Sequence, residues 1–286
     1  MAEGRVSAAP GREAGNSMTQ DNAAALAGVP PGPVTKPLAQ RVRLVPVDRP
    51  WRWISAGWRD LQRSRAIGWA YGMALVLAGW CLTLLLFEAD TLWATLPATA
   101  GFFLLAPLLA TGLYETSRLL EAGGSPTLAD ACRGFRRNGG QVAIVGVALL
   151  VLHLFWVRIA GLLFMLCFGL NFHPGLEQLP FAMLRSEMLL PFLVIGTAFG
   201  CVLAAVSFAI TVVSIPMLVD RDISALEAIT VSIQAAMTNW RAMALWSGLI
   251  VLFTGLALVP FYLGLVVALP VIGHATWHAY RDLVVD

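Results

Sequence analysis

Charge is what this sequence has least of. Only 13% of its 286 residues are Asp, Glu, Lys or Arg, against roughly 25% in soluble domains. With 58% hydrophobic residues and a mean hydropathy of +0.74, the chain cannot be an ordinary soluble globule. Lysine is confined to Lys36, so the basic side is arginine. Four cysteines, three of them (Cys81, Cys167, Cys201) inside apolar runs and Cys132 in a loop, exclude a disulfide framework and read as packing residues. No GxSxG, HExxH, CxxC, phosphate loop or Rossmann fingerprint occurs, so catalysis has no visible machinery and no cofactor is expected. No carboxylate lies inside an apolar run, which counts against ion-coupled transport.

What is present in quantity is apolar sequence in lengths that cross a bilayer, about 20 residues for about 30 Å of hydrocarbon. The expected fold is an all-α membrane protein, a bundle of six transmembrane helices at residues 66–87, 92–113, 141–170, 188–219, 242–258 and 261–280. The last two come from one long run, split at Leu258-Val259-Pro260 because proline disfavours a continuing helix; five spans is the alternative. Residues 1–45, rich in Ala, Gly and Pro without apolar periodicity, are expected to be a disordered cytoplasmic tail, and 46–286 the membrane domain. The tail lacks the apolar core of a signal peptide, so the first span should direct insertion.

Arginine placement sets the expected orientation. Arg49, Arg52, Arg59, Arg63, Arg65, Arg118, Arg133, Arg136, Arg137, Arg221, Arg241 and Arg281 fall on one side. The opposite loops carry Glu88, Asp90, Glu177 and Glu187, with Arg185 the one base. By the positive-inside rule both termini are cytoplasmic. An internal repeat supports six spans: Trp58 to Ser64 (WRDLQRS) aligns with Cys132 to Asn138 (CRGFRRN). A fainter third copy begins at Ser224-Ala225-Leu226-Glu227, a capping box. Each returning helix carries a proline, Pro107, Pro216 or Pro270. The unit is an amphipathic cytoplasmic helix followed by a transmembrane hairpin, three times over.

The first amphipathic segment, with Asp48 as its cap and Pro50 in its first turn, places Trp51, Ile54, Trp58 and Leu61 on one stripe. Arg52, Arg59 and Arg63 stand about 130° away. Trp51, Arg52, Trp58, Arg59 and Arg63 are therefore candidate membrane-interface residues, rings at headgroup level and guanidinium groups toward anionic lipid. The arginines are too few for a nucleic-acid surface. His274 and His278, an i, i+4 pair, are candidate metal ligands, with Glu115 a candidate third contact to His278 because both sit eight residues past a proline. Two ligands alone do not complete a site, so structural or interfacial histidines are the plainer reading.

Polar positions inside spans raise the question of a pathway. His153 would lie about 18 Å from the cytoplasmic face and His274 about 10 Å, an offset that disfavours a bis-histidine haem. Arg158, about 25 Å deep, can snorkel to the outer headgroups. Ser207, Thr211 and Ser214 could line a cavity, though hydroxyl bonding to neighbouring backbone is commoner. Gly68 with Gly72, and Gly196 with Gly200 and Ala204, are small-residue faces suited to close helix packing.

DRPWRWISAGWRDL (Asp48 to Leu61), GLYETSRLLEAG (Gly112 to Gly123), PMLVDRDISALEA (Pro216 to Ala228) and GHATWHAYR (Gly273 to Arg281) together resemble a bacterial integral-membrane family, the domain of unknown function 2189. The resemblance runs from about Pro46 to the C-terminus. It implies a multi-helix inner-membrane protein without an established activity, some of whose relatives carry a cytochrome c oxidase label. Two intramembrane histidines are too few for an oxidase core, whereas an accessory or assembly role beside a respiratory complex meets no such objection. The functional expectation is a non-enzymatic protein that packs against lipid, other membrane proteins or its own copies. A small-solute transporter or channel is the alternative, and a metal- or haem-binding protein a third.

Overall fold

The computed structural model describes residues 41–89, 106–169 and 185–285, which form helices joined by short connections. Four apolar stretches become the long helices α2 (Arg65–Glu88), α5 (Gly139–Phe168), α6 with α7 (Leu189–Thr211 and Ser214–Asp220) and α9 (Trp240–Leu258). These four are long and apolar enough to cross a membrane. At 1.5 Å per residue α2 is about 36 Å long and α5 about 45 Å. Side chains such as Leu84, Leu166 and Leu190 stand more than 60% exposed along them, as expected of surface that hydrocarbon covers.

Shorter helices gather at one end: α1 (Arg49–Arg63), α3 (Thr111–Glu121), α4 (Leu128–Gly134) and α8 (Ala225–Thr238), with the last helix α10 (Leu265–Leu283) running into them. The main apolar core lies here, around Trp53, Leu113, Met217, Trp246, Trp277 and Tyr280. Trp53 and Trp246 meet edge to face at 5.9 Å, a geometry worth about 1 kcal/mol beyond area burial.

Glycine decides how α10 docks. It runs antiparallel along α1 and α2, and a Cβ on Gly57 would lie 2.6 Å from the Val271 carbonyl, one on Gly72 2.4 Å from the Val266 carbonyl. Pro270 has no N–H to give Val266 four residues earlier, so the carbonyl against Gly72 is the one the helix leaves without its usual donor. Gly68 faces Leu61 and Pro270, whereas a Cβ on Gly196 would meet nothing and one on Gly200 only Trp156. The two small-residue faces are therefore unlike. Gly196, Gly200 and Ala204 border an open apolar groove of about 400 Å³ with Trp156, Phe192 and Cys201.

Several expected boundaries move. Residues 92–105 of the second span lie outside the described residues; from Thr111 the chain is helical to Glu121, and Thr111 through Ser117 are buried among the short helices. The last span was expected at 261–280, but its helix starts at Leu265, reaches Leu283, and is not among the four apolar enough to cross. Of the expected tail, 1–40 lie outside the described residues, while 41–45 are held. Val42 bridges Val284, Arg43 N donates to Leu283 O at 2.8 Å, and Val45 N donates to Asn239 Oδ1 at 2.9 Å.

Asp48 occupies the cap position of α1 without a side-chain cap bond. Ser224 accepts from Glu227 N as expected, but the Glu227 carboxylate turns to Arg41 instead of completing the box. Thr127 and Asp130 form a reciprocal box where none was expected. The aligned repeat segments differ in form. α1 has 15 residues and α4 only 7, and Cys132 to Asn138 is not one helix, since Asn138 is left-handed at φ 48°. The cysteines are free, and Cys81, Cys132 and Cys201 are exposed instead of packed.

Substituting Gly57 or Gly72 with Ala should destabilise the protein by about 1–3 kcal/mol through backbone overlap, despite the better helix propensity of alanine. Gly196→Ala should be neutral or stabilising by up to about 1 kcal/mol. Thermal unfolding in mild detergent measures both; equal midpoints for all three variants would contradict this docking.

Candidate functional site

The last three turns of α10 carry polar side chains all around the helix, an arrangement that is costly unless every side finds a partner. Each does. Trp277 Nε1 donates to Glu121 Oε2 at 2.9 Å, and Arg281 reaches Glu121 at 3.2 Å and Asp220 at 3.5 Å. The Tyr280 hydroxyl donates to Asp220 at 2.6 Å and accepts from Arg221 Nε at 3.0 Å. Asp282 accepts from Arg49 Nε at 2.6 Å and Nη2 at 3.0 Å and from Trp53 Nε1 at 3.0 Å.

At the centre is a buried cluster. Asp60, on α1, is 5% exposed and His274 is fully buried. His278 Nε2 and the Ser117 hydroxyl lie 2.8 Å from Asp60 Oδ2, and Ser117 Oγ lies 2.8 Å from His274 Nδ1. One proton arrangement satisfies all three contacts: His278 Nε2–H and Ser117 O–H donate to the carboxylate, and His274 Nδ1–H donates to Ser117 Oγ. Ser64 Oγ donates to the Asp60 carbonyl at 2.8 Å and stands 3.5 Å from His274 Nε2. Burial works to raise the Asp60 carboxyl. The bonds from His278 and Ser117 and the imidazole fields outweigh it, holding the group below its ordinary value. Asp282 is likewise lowered, burial being outweighed by Arg49 and Trp53.

Serine, histidine and aspartate here do not make a hydrolytic triad. The carboxylate meets the serine, not the far nitrogen of the same imidazole, and Ser117 is fully buried. What the arrangement can do is hold one buried charge and couple α1, α3 and α10 through it.

The sequence candidates are dispersed by the structure. Glu115 pairs with Arg118 at 2.7 Å and Arg137 at 3.6 Å, so the expected contact to His278 is not made; Asp60 takes that place. Among the described residues no group of three His, Cys, Asp or Glu is placed to hold a metal. His153 is remote in sequence and fold, on α5, with Nδ1 buried and unpartnered, while both His274 nitrogens face serines. His173 lies outside the described residues, and Arg158 is exposed on α5.

The Thr211 hydroxyl bonds Ser207 O at 2.8 Å and Ser214 bonds Ile210 O at 2.5 Å, so two of the three candidate pathway hydroxyls are turned onto their own helix. The helix breaks there because Pro216 cannot donate to Val212. Ser232 of α8 bridges the break, accepting from Val213 N and donating to Ala209 O. On α1, Trp51 and Trp58 are about half exposed and Arg52, Arg59 and Arg63 exposed. The buried face is instead Trp53, Gly57, Asp60 and Leu61.

Asp60, Ser117, Glu121 and Asp220 lie in segments that carry the family resemblance but are not singled out as site candidates by the sequence, and Asp282 lies one residue past the last such segment. For Asp60 a signal existed: it is the lone acid of α1, about 80° from the arginine stripe and within about 20° of Trp53 around the helix.

Asp60→Ala should cost about 2–3 kcal/mol by leaving His278 and Ser117 without their acceptor. Because the folded Asp60 and Asp282 pKa values lie below the unfolded value of about 3.9, their contribution is complete above that pH and lost as pH falls through the folded values. The unfolding midpoint in detergent should drop on acidification below about pH 4, less steeply in Asp60→Asn. An unchanged slope would show that Asp60 carries no such linkage.

No curated protein and no solved structure shows significant similarity to the chain. A family model matches residues 95–220, which hold Ser117, Glu121 and Asp220, while α1 and α10 lie outside it, a narrower extent than Pro46 to the C-terminus. The family so matched, over α3 to α7 and the residues before them, is that of a predicted integral membrane protein, the domain of unknown function 2189.

Proposed function

We propose that this is a non-catalytic protein of the bacterial inner membrane that acts as a structural or accessory partner within the bilayer. The observation that carries the reading is the contrast between its two ends. The short-helix end is closed, with Asp60, Glu115, Glu121, Asp220, Glu227 and Asp282 each paired internally. The long helices α2, α5 and α6 leave most of their apolar surface uncovered by the chain itself. Imidazole, hydroxyl and carboxylate groups that hold one another in hydrogen bonds suit a rigid framework better than a reaction.

In this proposal the short-helix end and both termini are cytoplasmic, as the arginine bias implies. The order of short helix and long helix recurs three times, in α1–α2, α4–α5 and α8–α9, which supports three hairpin units. Residues 92–113 and 261–280 then complete six spans, the last entering the bilayer through its first turns. The oxidase label of the resembling family makes a respiratory complex the first partner to test.

Purification of the full chain in mild detergent after in-membrane crosslinking, with identification of bound proteins and an optical spectrum, tests this. A stoichiometric membrane partner or homo-oligomer and a colourless preparation are expected. A monomer that sustains solute flux in proteoliposomes would replace the reading with transport, and a haem band with cofactor binding.

A further inference from the structure

The structure divides the arginines into two sets. Arg41, Arg49, Arg118, Arg133, Arg137 and Arg281 make ion pairs with carboxylates, and Arg221 reaches Tyr280 and Asp220. Arg43, Arg52, Arg59, Arg63, Arg65, Arg136, Arg158, Arg185 and Arg241 are exposed and make no ion pair among the described residues. Five of these nine stand where a short helix hands over to a long one: Arg59, Arg63 and Arg65 between α1 and α2, Arg136 before α5, and Arg241 in the first turn of α9.

Each handover also exposes an aromatic ring. Trp58 is 46% exposed, Phe135 43% and Trp240 63%, and the Arg241 guanidinium lies 5.2 Å over the Trp240 ring. No acidic residue occupies the first turn of α2, α5 or α9. The three handovers share one end of the molecule through bonds to common elements. Arg49 of α1 binds Asp282. Asn138 before α5 donates to Ile223 O at 2.8 Å, next to the Arg221 that binds Tyr280. Asn239 before α9 donates to Arg43 O at 3.0 Å, beside Leu283.

We propose that these three aromatic–arginine handovers form one anchor ring that binds the anionic headgroups of phospholipids in the leaflet they face. Glu115, Glu121, Asp130, Asp220, Glu227 and Asp282 are taken by other arginines and Asp60 by His278, while Asp48 and Asp222 stand exposed, so no ion pair among the described residues answers the charge of the ring. Rings at headgroup depth place each guanidinium at phosphate level, where two parallel N–H groups can meet two phosphate oxygens. Such binding requires the long helices to cross the membrane but does not depend on the accessory role.

The test is lipid retention by the full chain. Protein reconstituted with equimolar phosphatidylglycerol and phosphatidylcholine is re-extracted in mild detergent, and the retained lipids are counted by mass spectrometry. Phosphatidylglycerol should be enriched. At about fivefold in binding per arginine near the surface, Arg59→Gln with Arg63→Gln should lower its retention roughly 25-fold while leaving phosphatidylcholine unchanged. Lysine at both positions should restore most of it, and inorganic phosphate should not compete. Unfolding midpoints in lipid-free detergent, expected to be unaffected, separate lost binding from lost fold. Equal retention of the two lipids, or glutamine variants that keep phosphatidylglycerol, would overturn the proposal.

Discussion

The antiparallel seam between α10 and the α1–α2 pair is the constraint on which the rest depends. It is set from two directions. Gly57 and Gly72 let backbones approach where any side chain would collide, and Asp60 and Asp282 fix register by taking His278 from one helix and Arg49 with Trp53 from the other. Either alone would be ambiguous, since apolar packing tolerates sliding and a lone ion pair tolerates tilting. Together they specify one alignment. Once α10 is seated, the carboxylates of α3 and α7 find Trp277, Tyr280 and Arg281, and Arg41 to Val45 closes over the chain end.

The seam also explains why so hydrophobic a chain keeps so many paired charges in so small a volume. A buried carboxylate with two or three donors costs little, but the same group with one donor removed is expensive. The polar end therefore behaves as a unit, and the long helices inherit their placement from it. The arginines left over stay exposed, and in the proposed anchor ring the lipid contacts fall to those that the fold's carboxylates have not already used.

Hydropathy makes the spans legible. The helices at 65–88, 139–168 and 240–258 lie within two residues of those expected, because burial in hydrocarbon needs only local composition. The break before Pro216 is equally local, since a missing N–H acts four residues away. The polar end is not legible in this way. Asp60 and His278 are 218 residues apart, and Ser117 and His274 157 apart. Periodicity says which face a residue is on, not whose face it meets. Pairing Glu115 with His278 by their common distance from a proline fails for that reason, because equivalent register does not make two side chains neighbours. The last helix reads as a span from its apolar first half, whereas its second half is buried by protein.

Hydrogen exchange followed by mass spectrometry on the full chain in detergent tests the central claim most directly. If the seam organises the short-helix end, the amides from Gly273 to Leu283 exchange slowest outside the four long helices. Asp282→Ala then accelerates exchange in α10, in α1 and in the segment from Arg41 to Val47 together. Rapid exchange across Gly273 to Leu283 in the unmodified protein, or acceleration confined to α10 in the variant, would contradict it.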